Sequence, residues 1–470
     1  MAERHIVIIG GGISGLATAF YIKQHLARIN STAKITVLES ESVIGGKIQS
    51  YQENGYLCEW GPNGFLTNKP DTLELCQYLG LTEQLLSSND NARKRFVVSN
   101  GELNKLPHNQ IEFLMNSLIS WRGKLRIAAE IFQSQRISEI DESLADFTRR
   151  RLGQEALDKL IAPMASGIFA GDPETMSLRA CFPRIYQLEQ QYGGLLKAML
   201  VLMKQHRKEK KNGQVSASPA GPGGVLTSFA TGIATLTKQL ASVIGEENIL
   251  LDHKVIAIQH NDNVWTVQNQ NGQTIIADQI VLATPAYVAK DIIQPSLPSV
   301  SELLNQINYS PLAVVCLGYN LKHVRRDVNG FGYLFATGEN HHVLGTLWDS
   351  SIFASRAPDN MVLFRSMLGG AKYPDILNYT DKELESITCQ QLHKIMMIDN
   401  SPAMVKIFRH KYAIPQYRVG HCELVKQIEN SISEHSGLYL NNNAYYGVGI
   451  NDCIAAAKKV ALKVVNDYII

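Results

Sequence analysis

His5-Ile-Val-Ile-Ile-Gly-Gly-Gly-Ile-Ser-Gly15 runs an unbroken apolar tetrapeptide into a glycine-rich turn. Outward from it, Leu16, Ala19, Phe20 and Leu26 recur at roughly helical spacing, and Ile35-Thr-Val-Leu38 is a second apolar run. The order strand, turn, helix, strand over residues 5–39 reads as a βαβ unit whose strands are buried on both faces. Within it Gly10-Gly-Gly-Ile-Ser-Gly15 contains GxGxxG, a weak pattern alone that gains meaning between a buried strand and a helix. Gly10 permits the tight turn, Gly12 lets the backbone approach a pyrophosphate, and Gly15 lets helix and strand pack closely. The helix amino terminus then offers free N–H groups and partial positive charge to phosphates, with Gly11, Ile13 and Ser14 completing the cradle. Glu39 ends the second strand, where a carboxylate binds ribose hydroxyls and disfavours a 2′-phosphate. These residues predict a dinucleotide site.

The rest of the composition excludes several classes. At 470 residues the chain exceeds one hydrophobic core, so two or three intertwined domains are expected. A net charge of +2 does not recommend a nucleic-acid partner. The seven cysteines are scattered without a CxxC pair, which argues against a zinc site, a thioredoxin-type centre or a disulfide framework. They read as free thiols in a reducing cytoplasm. No signal segment is visible, and no run approaches the roughly 18 apolar residues of a membrane-spanning helix.

Along the chain, residues from about 65 to 205 look mainly helical. His206 to Gly224, with Arg207-Lys-Glu-Lys-Lys211 and Ser216-Ala-Ser-Pro-Ala-Gly-Pro-Gly-Gly224, reads as an exposed flexible loop. Strand signals return from Ile249 to Pro285 and again from about 310 to 370, followed by an amphipathic helix near 381–397. Gly437-Leu-Tyr-Leu440, a glycine-rich turn and a helix from about 451 to 467 close the chain. No internal repeat is present.

Three further segments narrow the dinucleotide. Ser42-Val-Ile-Gly-Gly-Lys47 and Glu59-Trp-Gly-Pro-Asn-Gly64 follow Glu39, and Asn443-Ala-Tyr-Tyr-Gly-Val-Gly-Ile450 precedes the last helix. Together they resemble the extended fingerprint of glutathione-reductase-like flavoproteins of the amine-oxidase branch. That resemblance implies non-covalent FAD held by Gly10, Gly11, Gly12, Ile13, Ser14, Gly15, Glu39, Ser40, Gly46, Lys47, Gly61, Pro62, Asn63, Gly64, Val255, Asn443, Val448, Gly449 and Ile450. Lys47 would offset diphosphate charge, the Val255 backbone would meet the adenine end, and the last helix would begin beneath the flavin ring. Cys453 belongs to the motif without implying covalent attachment, and Asp452 reads as an early-helix acid. No second GxGxxG unit for NADPH follows, so the expectation is an oxidase or dehydrogenase.

Seven blocks in order then resemble the protoporphyrinogen oxidase family over nearly the whole chain. They are Phe147-Thr-Arg-Arg-Arg-Leu-Gly153, Ser166-Gly-Ile-Phe-Ala-Gly-Asp172, Cys181-Phe-Pro183, Gly330-Phe-Gly-Tyr-Leu334, Met367-Leu-Gly-Gly370, Ile414-Pro-Gln-Tyr-Arg-Val-Gly-His421 and Gly447-Val-Gly-Ile-Asn-Asp-Cys453. The resemblance implies an α/β (mixed α+β) fold. Its parts are a discontinuous Rossmann-type FAD domain (1–66, 225–290, 425–470), a β-sheet substrate domain (67–89, 291–424) and a helical, membrane-associating domain (90–205), with the loop at 206–224.

The reaction so implied is oxidation of protoporphyrinogen IX to protoporphyrin IX, a step of heme biosynthesis. Six electrons leave in three flavin cycles, and dioxygen or another acceptor takes them, dioxygen becoming hydrogen peroxide. A hydride departs to flavin N5, with no catalytic side chain and no metal. Arg95 would pair with a propionate, Gly167 and Gly171 would leave room for the macrocycle, Phe331, Leu334 and Met367 would wall the pyrroles, and Asn63 would line the site or hold its turn. His410 and His421 read as structural. Ile111 to Trp121, followed by Arg122, Lys124 and Arg126, suits a helix lying on the inner face of the cell membrane, otherwise a core helix with a solvated end. A homodimer is left open. So are a coproporphyrinogen III oxidase, an amine oxidase, and a non-enzymatic lipid escort like the Rab GDP-dissociation inhibitors.

Overall fold

His5–Ile9 forms the middle strand of a five-stranded parallel sheet, in the order Ile249–Leu250, Lys34–Leu38, His5–Ile9, Gln279–Leu282, Leu438–Leu440. The computed structural model describes residues 4–211, 224–261, 264–339 and 342–469. Alternate side chains of His5–Ile9 enter two different cores, as the two-residue period of a strand dictates. Ile6 and Ile8 pack with Leu16, Phe20 and Ile22 of the helix Ile13–Arg28 and with Ile454, Ala457 and Ala461 of the helix Ile450–Ile469. Val7 and Ile9 pack with Trp265, Ala286, Ala289 and Ile428. Each such side chain contributes roughly 1.5–3 kcal/mol by leaving water. The first and last helices of the chain are thereby clamped over one face of the sheet, above its glycine-rich turn.

A second, seven-stranded sheet runs Met404–Pro415, Tyr309–Asn320, Met361–Gly369, Val343–Trp348, Gly332–Phe335, Arg95–Ser99, Glu102–Lys105. It is antiparallel except where Gly332–Phe335 meets Arg95–Ser99. One face is covered by the helix Asp381–Met396, whose Leu384, Leu392 and Ile395 are buried against Val315, Leu317 and Phe364. That helix begins in a capping box between Thr380 and Glu383.

Two readings of the sequence are corrected. The helical stretch of 65–205 is interrupted by the strands Arg95–Ser99 and Glu102–Lys105, because Phe96, Val97 and Val98 pair with Tyr333, Leu334 and Phe335 in the second sheet. The expected loop 206–224 starts too early. The helix Leu195–Lys211 takes its first residues, since Arg, Lys and Glu are good helix formers, and 212–223 lie outside the described residues.

Packing also draws Leu75, Cys76, Leu79 and Leu81 into the core of the first sheet. In the helical region Arg151 is fully buried between Glu189, at 2.6 Å, and Glu130, at 3.1 Å. Glu130 in turn accepts from the N–H groups of Leu195 and Leu196 at 2.8 and 3.0 Å, anchoring the positive end of the Leu195–Lys211 helix.

Candidate active site

Four glycine-containing loops meet above the carboxyl ends of the parallel strands, where open α/β sheets bind ligands. Gly12 shares a bridge with Gly45, and the Gly45 N–H donates to the Gly11 carbonyl at 2.8 Å, so the Gly45-Gly46-Lys47 turn lies on the Gly10–Gly15 turn. A Cβ on Gly15 would collide with the Gly10 carbonyl oxygen, and one on Gly64 with that of Thr227. A Cβ on Gly12 would project into open space. Gly15 and Gly64 are therefore required by the protein's own backbone, whereas Gly12 borders open space at the start of the helix Ile13–Arg28. A dinucleotide pyrophosphate fits that space.

Glu39, the residue expected at the ribose, is held by its own neighbours. The Gly11 N–H donates to Glu39 Oε2 at 2.7 Å, and Ser40 Oγ and the Glu41 N–H donate to Oε1 at 3.1 and 3.0 Å. That holds the carboxylate rigidly at the strand end. The Glu39 carbonyl accepts from the His253 N–H at 2.8 Å, which brings the segment leading to Val255 beside it. On the opposite side Asn441 Nδ2 donates to the Ser14 carbonyl at 3.1 Å and to Thr18 at 2.8 Å, and Asn451 Nδ2 donates to the Leu66 carbonyl at 2.8 Å. These three asparagine contacts were not legible from the motif. The last helix begins at Ile450, with Asp452 Oδ2 accepting from the Gly449 N–H at 3.3 Å and pairing with Lys69. Val448 packs on the cluster of Leu144, Phe147, Phe169 and Met176. Cys453 is buried, and burial pushes its thiol up to about 12, which withholds the thiolate that covalent attachment would need.

Lys47 reaches across to a distant strand. Its ammonium donates to the Tyr412 and Ala413 carbonyls, the latter at 2.7 Å, and lies 5.5 Å from the Tyr309 ring centre. Burial lowers its pKa to about 8. Lys47 thus ties the glycine loop to the end of the strand Met404–Pro415.

Of the expected substrate residues, Arg95, Leu334 and Met367 lie on strands of the second sheet, and Phe331 directly precedes one of them. Arg95 begins the strand Arg95–Ser99 next to Gly332, and its guanidinium carbon lies 5.2 Å from the Phe331 ring centre. It is accessible to solvent, yet surrounding protein lowers its pKa by desolvation. Leu334 fills the space beside Gly167, where a Cβ would press on its methyl at 2.8 Å. A Cβ on Gly171 would meet Met176 Sδ at 2.6 Å and Gln416 Oε1 at 2.9 Å, so the space there is taken by protein packing. Met367 borders the cluster of Ala170, Leu312, Leu344 and Ala413.

Asn63 joins both halves of the site. Its Nδ2 donates to Asp349 Oδ1 at 3.1 Å, and Asp349 is paired with Arg365, whose Nη1 reaches the Gly61 carbonyl at 2.8 Å. Sequence reading missed Asp349 and Arg365, which carry no local motif. The two histidines are built into the frame. His410 Nε2 contacts the Trp60 carbonyl at 3.0 Å and His421 stacks 4.0 Å from Tyr417, with burial lowering both pKa values, that of His421 to about 4. No group of His, Cys, Asp and Glu among the described residues is arranged to hold a metal ion.

Three comparisons bear on this arrangement. The family model described as flavin containing amine oxidoreductase matches residues 13–465. The coproporphyrinogen III oxidase of Bacillus subtilis (strain 168) is 31% identical over 465 residues, covering 97% of each chain. The chloroplastic protoporphyrinogen oxidase 1 of Spinacia oleracea is 30% identical over 477 residues, covering 98% of this chain and 84% of its own. A solved structure of a proposed protoporphyrinogen oxidase from Exiguobacterium sp. 255-15 superposes with a TM-score of 0.83, at 26% identity and 99% coverage of both chains.

Proposed function

The chain belongs to the flavin containing amine oxidoreductase family, whose cofactor is FAD, and from that premise we propose that it oxidises a porphyrinogen to the porphyrin. The observation that carries this reading is the exposed Arg95 guanidinium lying 5.2 Å from the Phe331 ring centre, on a strand that pairs with the one bearing Leu334. An apolar macrocycle with acidic side arms suits such a pairing of cation and apolar surface. FAD, when bound, supplies the two-electron acceptor.

The chain's own residues bind, orient and exclude water. Arg95 pairs with a propionate through its planar fork, Phe331, Leu334 and Met367 shield the ring, and Asn63 stands at the junction with the flavin loop. Neither His410 nor His421 is proposed as a base, because burial lowers both pKa values and so makes each a weak proton acceptor, and His410 Nε2 is also bonded to the Trp60 carbonyl. Dioxygen is the proposed terminal acceptor, giving hydrogen peroxide, and the FAD is proposed to be non-covalent.

Protoporphyrinogen IX is the proposed substrate. Coproporphyrinogen III is the second reading, favoured by the B. subtilis relative that spans 97% of both chains. Anaerobic kcat/KM for each porphyrinogen with an added acceptor, followed by aerobic assay of peroxide, tests both points. Conversion of neither would sink the reading.

A peripheral membrane contact is also proposed. Met115, Trp121, Leu125 and Phe132 are 83%, 68%, 69% and 86% exposed in a short helical stretch that also carries Arg122 and Arg126. No helix among the described residues is long and apolar enough to cross a membrane. Vesicles of anionic lipid should retain the wild-type protein and release a Met115→Glu, Phe132→Glu variant.

A further inference from the structure

Beneath the Gly61–Gly64 loop, Arg365 Nε donates to Asp349 Oδ2 at 2.7 Å, and both residues are buried. Neither half of this ion pair stops at its partner. Arg365 Nη1 holds the Gly61 carbonyl at 2.8 Å, and Asp349 Oδ1 accepts from Asn63 Nδ2 at 3.1 Å. A carboxylate paired with a guanidinium is ionised and can only accept, so the Asn63 amide has a single orientation, its NH2 toward Asp349. The amide oxygen therefore points the other way. Asn63 is only 8% exposed, and its Oδ1 has no hydrogen-bond partner. A buried carbonyl oxygen without a donor is costly, and its position in the loop between the two halves of the site makes a bound molecule the natural source of one.

We propose that Asp349 is a positioning residue: it fixes the Asn63 amide so that Oδ1 accepts from a pyrrole N–H of the substrate, making the site favour the reduced ring over its oxidised product. This rests on the porphyrinogen reading above. Every pyrrole of a porphyrinogen carries an N–H, whereas half of the nitrogens of a porphyrin are bare acceptors. An amide oxygen is attracted to the first and repelled by the bare nitrogens of the second. A flipped amide, presenting NH2, would do the reverse. The ion pair thus lets a single asparagine sense the oxidation state of the ring and assist product departure.

The test compares the FAD-bound wild type with Asp349→Asn and Asn63→Leu. For each, KM for the porphyrinogen that the wild type oxidises and the inhibition constant of the corresponding porphyrin are measured, with the flavin absorbance spectrum as control. The ratio of inhibition constant to KM should fall about tenfold in either variant, the effect of one buried hydrogen bond. Asp349→Asn strands Arg365 and can abolish folding, in which case Asn63→Leu, which keeps the ion pair, decides. An unchanged ratio in folded Asn63→Leu overturns the proposal. So does loss or displacement of its flavin bands, which would put the amide against the cofactor instead. A wild type that oxidises neither porphyrinogen defeats the functional reading itself; a wild type that turns over, with variants of unchanged ratio, defeats the positioning role alone.

Discussion

The Tyr417 hydroxyl accepts from the Gly447 N–H at 2.9 Å while donating to the Asn443 carbonyl at 2.5 Å, so one buried side chain spans the loop that leads into the last helix. The Tyr417 carbonyl accepts from the Ser177 N–H at 2.8 Å. Tyr417 therefore joins the Asn443–Gly447 segment to the helical region that packs on Val448.

Tyr417→Phe keeps the ring, and with it the stacking on His421, but leaves the Gly447 N–H without its acceptor. An unpaired buried donor costs about 1–3 kcal/mol, part of which should appear as looser cofactor binding. The expected result is a several-fold rise in the FAD dissociation constant together with a lower melting temperature. Equal FAD affinity in the two proteins would show that the loop is held by other contacts.

Gly12 and Gly15 belong to one motif but should fail in opposite ways. Gly15→Ala forces a methyl onto the Gly10 carbonyl oxygen, so the turn itself must open and the protein should lose stability. A Cβ on Gly12 meets no protein atom within 4 Å, so Gly12→Leu should fold, with its side chain projecting into the space proposed for the pyrophosphate. A colourless, well-folded Gly12→Leu protein is the expected product, read by far-ultraviolet circular dichroism and flavin absorbance. Retention of stoichiometric FAD would remove the pyrophosphate from this position.

What could be read from the sequence follows from the range of the interactions involved. The dinucleotide turn was legible because its requirements are local: Gly15 and Gly10 are five residues apart, and the collision between them is written in the motif. The strand Arg95–Ser99 was absorbed into a helical reading because its partner, Gly332–Phe335, lies far along the chain. Asp349 and Arg365 act on Asn63 and Gly61 across similar separations, and neither stands in a glycine-rich or otherwise marked segment. The contacts of Lys47 with the Tyr412 and Ala413 carbonyls are equally long-range and equally unmarked in the sequence around Lys47.

Arg95 offers a graded test of the propionate pairing. Arg95→Ala should lower kcat/KM for the porphyrinogen by about 1–3 kcal/mol, mostly through KM, because the contact exists in both ground and transition states. Arg95→Lys should recover only part of the loss, since an ammonium lacks the bidentate fork. Stability should change little, as the guanidinium is accessible and makes no ion pair among the described residues. A kcat/KM unaltered in both variants would remove Arg95 from the site.

His421 should make the fold sensitive to mild acid. Burial lowers its pKa from 6.5 to about 4, so between those values the unfolded chain binds a proton that the folded chain does not. Stability then rises with pH across that window: His421 contributes fully above about pH 6.5, and its contribution is lost as pH falls toward 4. Its ring stacks on Tyr417, so the loss is expected to loosen the same loop that Gly447 and Asn443 occupy. Urea titrations of wild type and His421→Asn at pH 7.5 and pH 5 measure the difference. His421→Asn should be less stable than wild type at the higher pH but lose less on acidification, narrowing the gap between them at the lower pH. Parallel losses in the two proteins would assign the acid sensitivity to other groups.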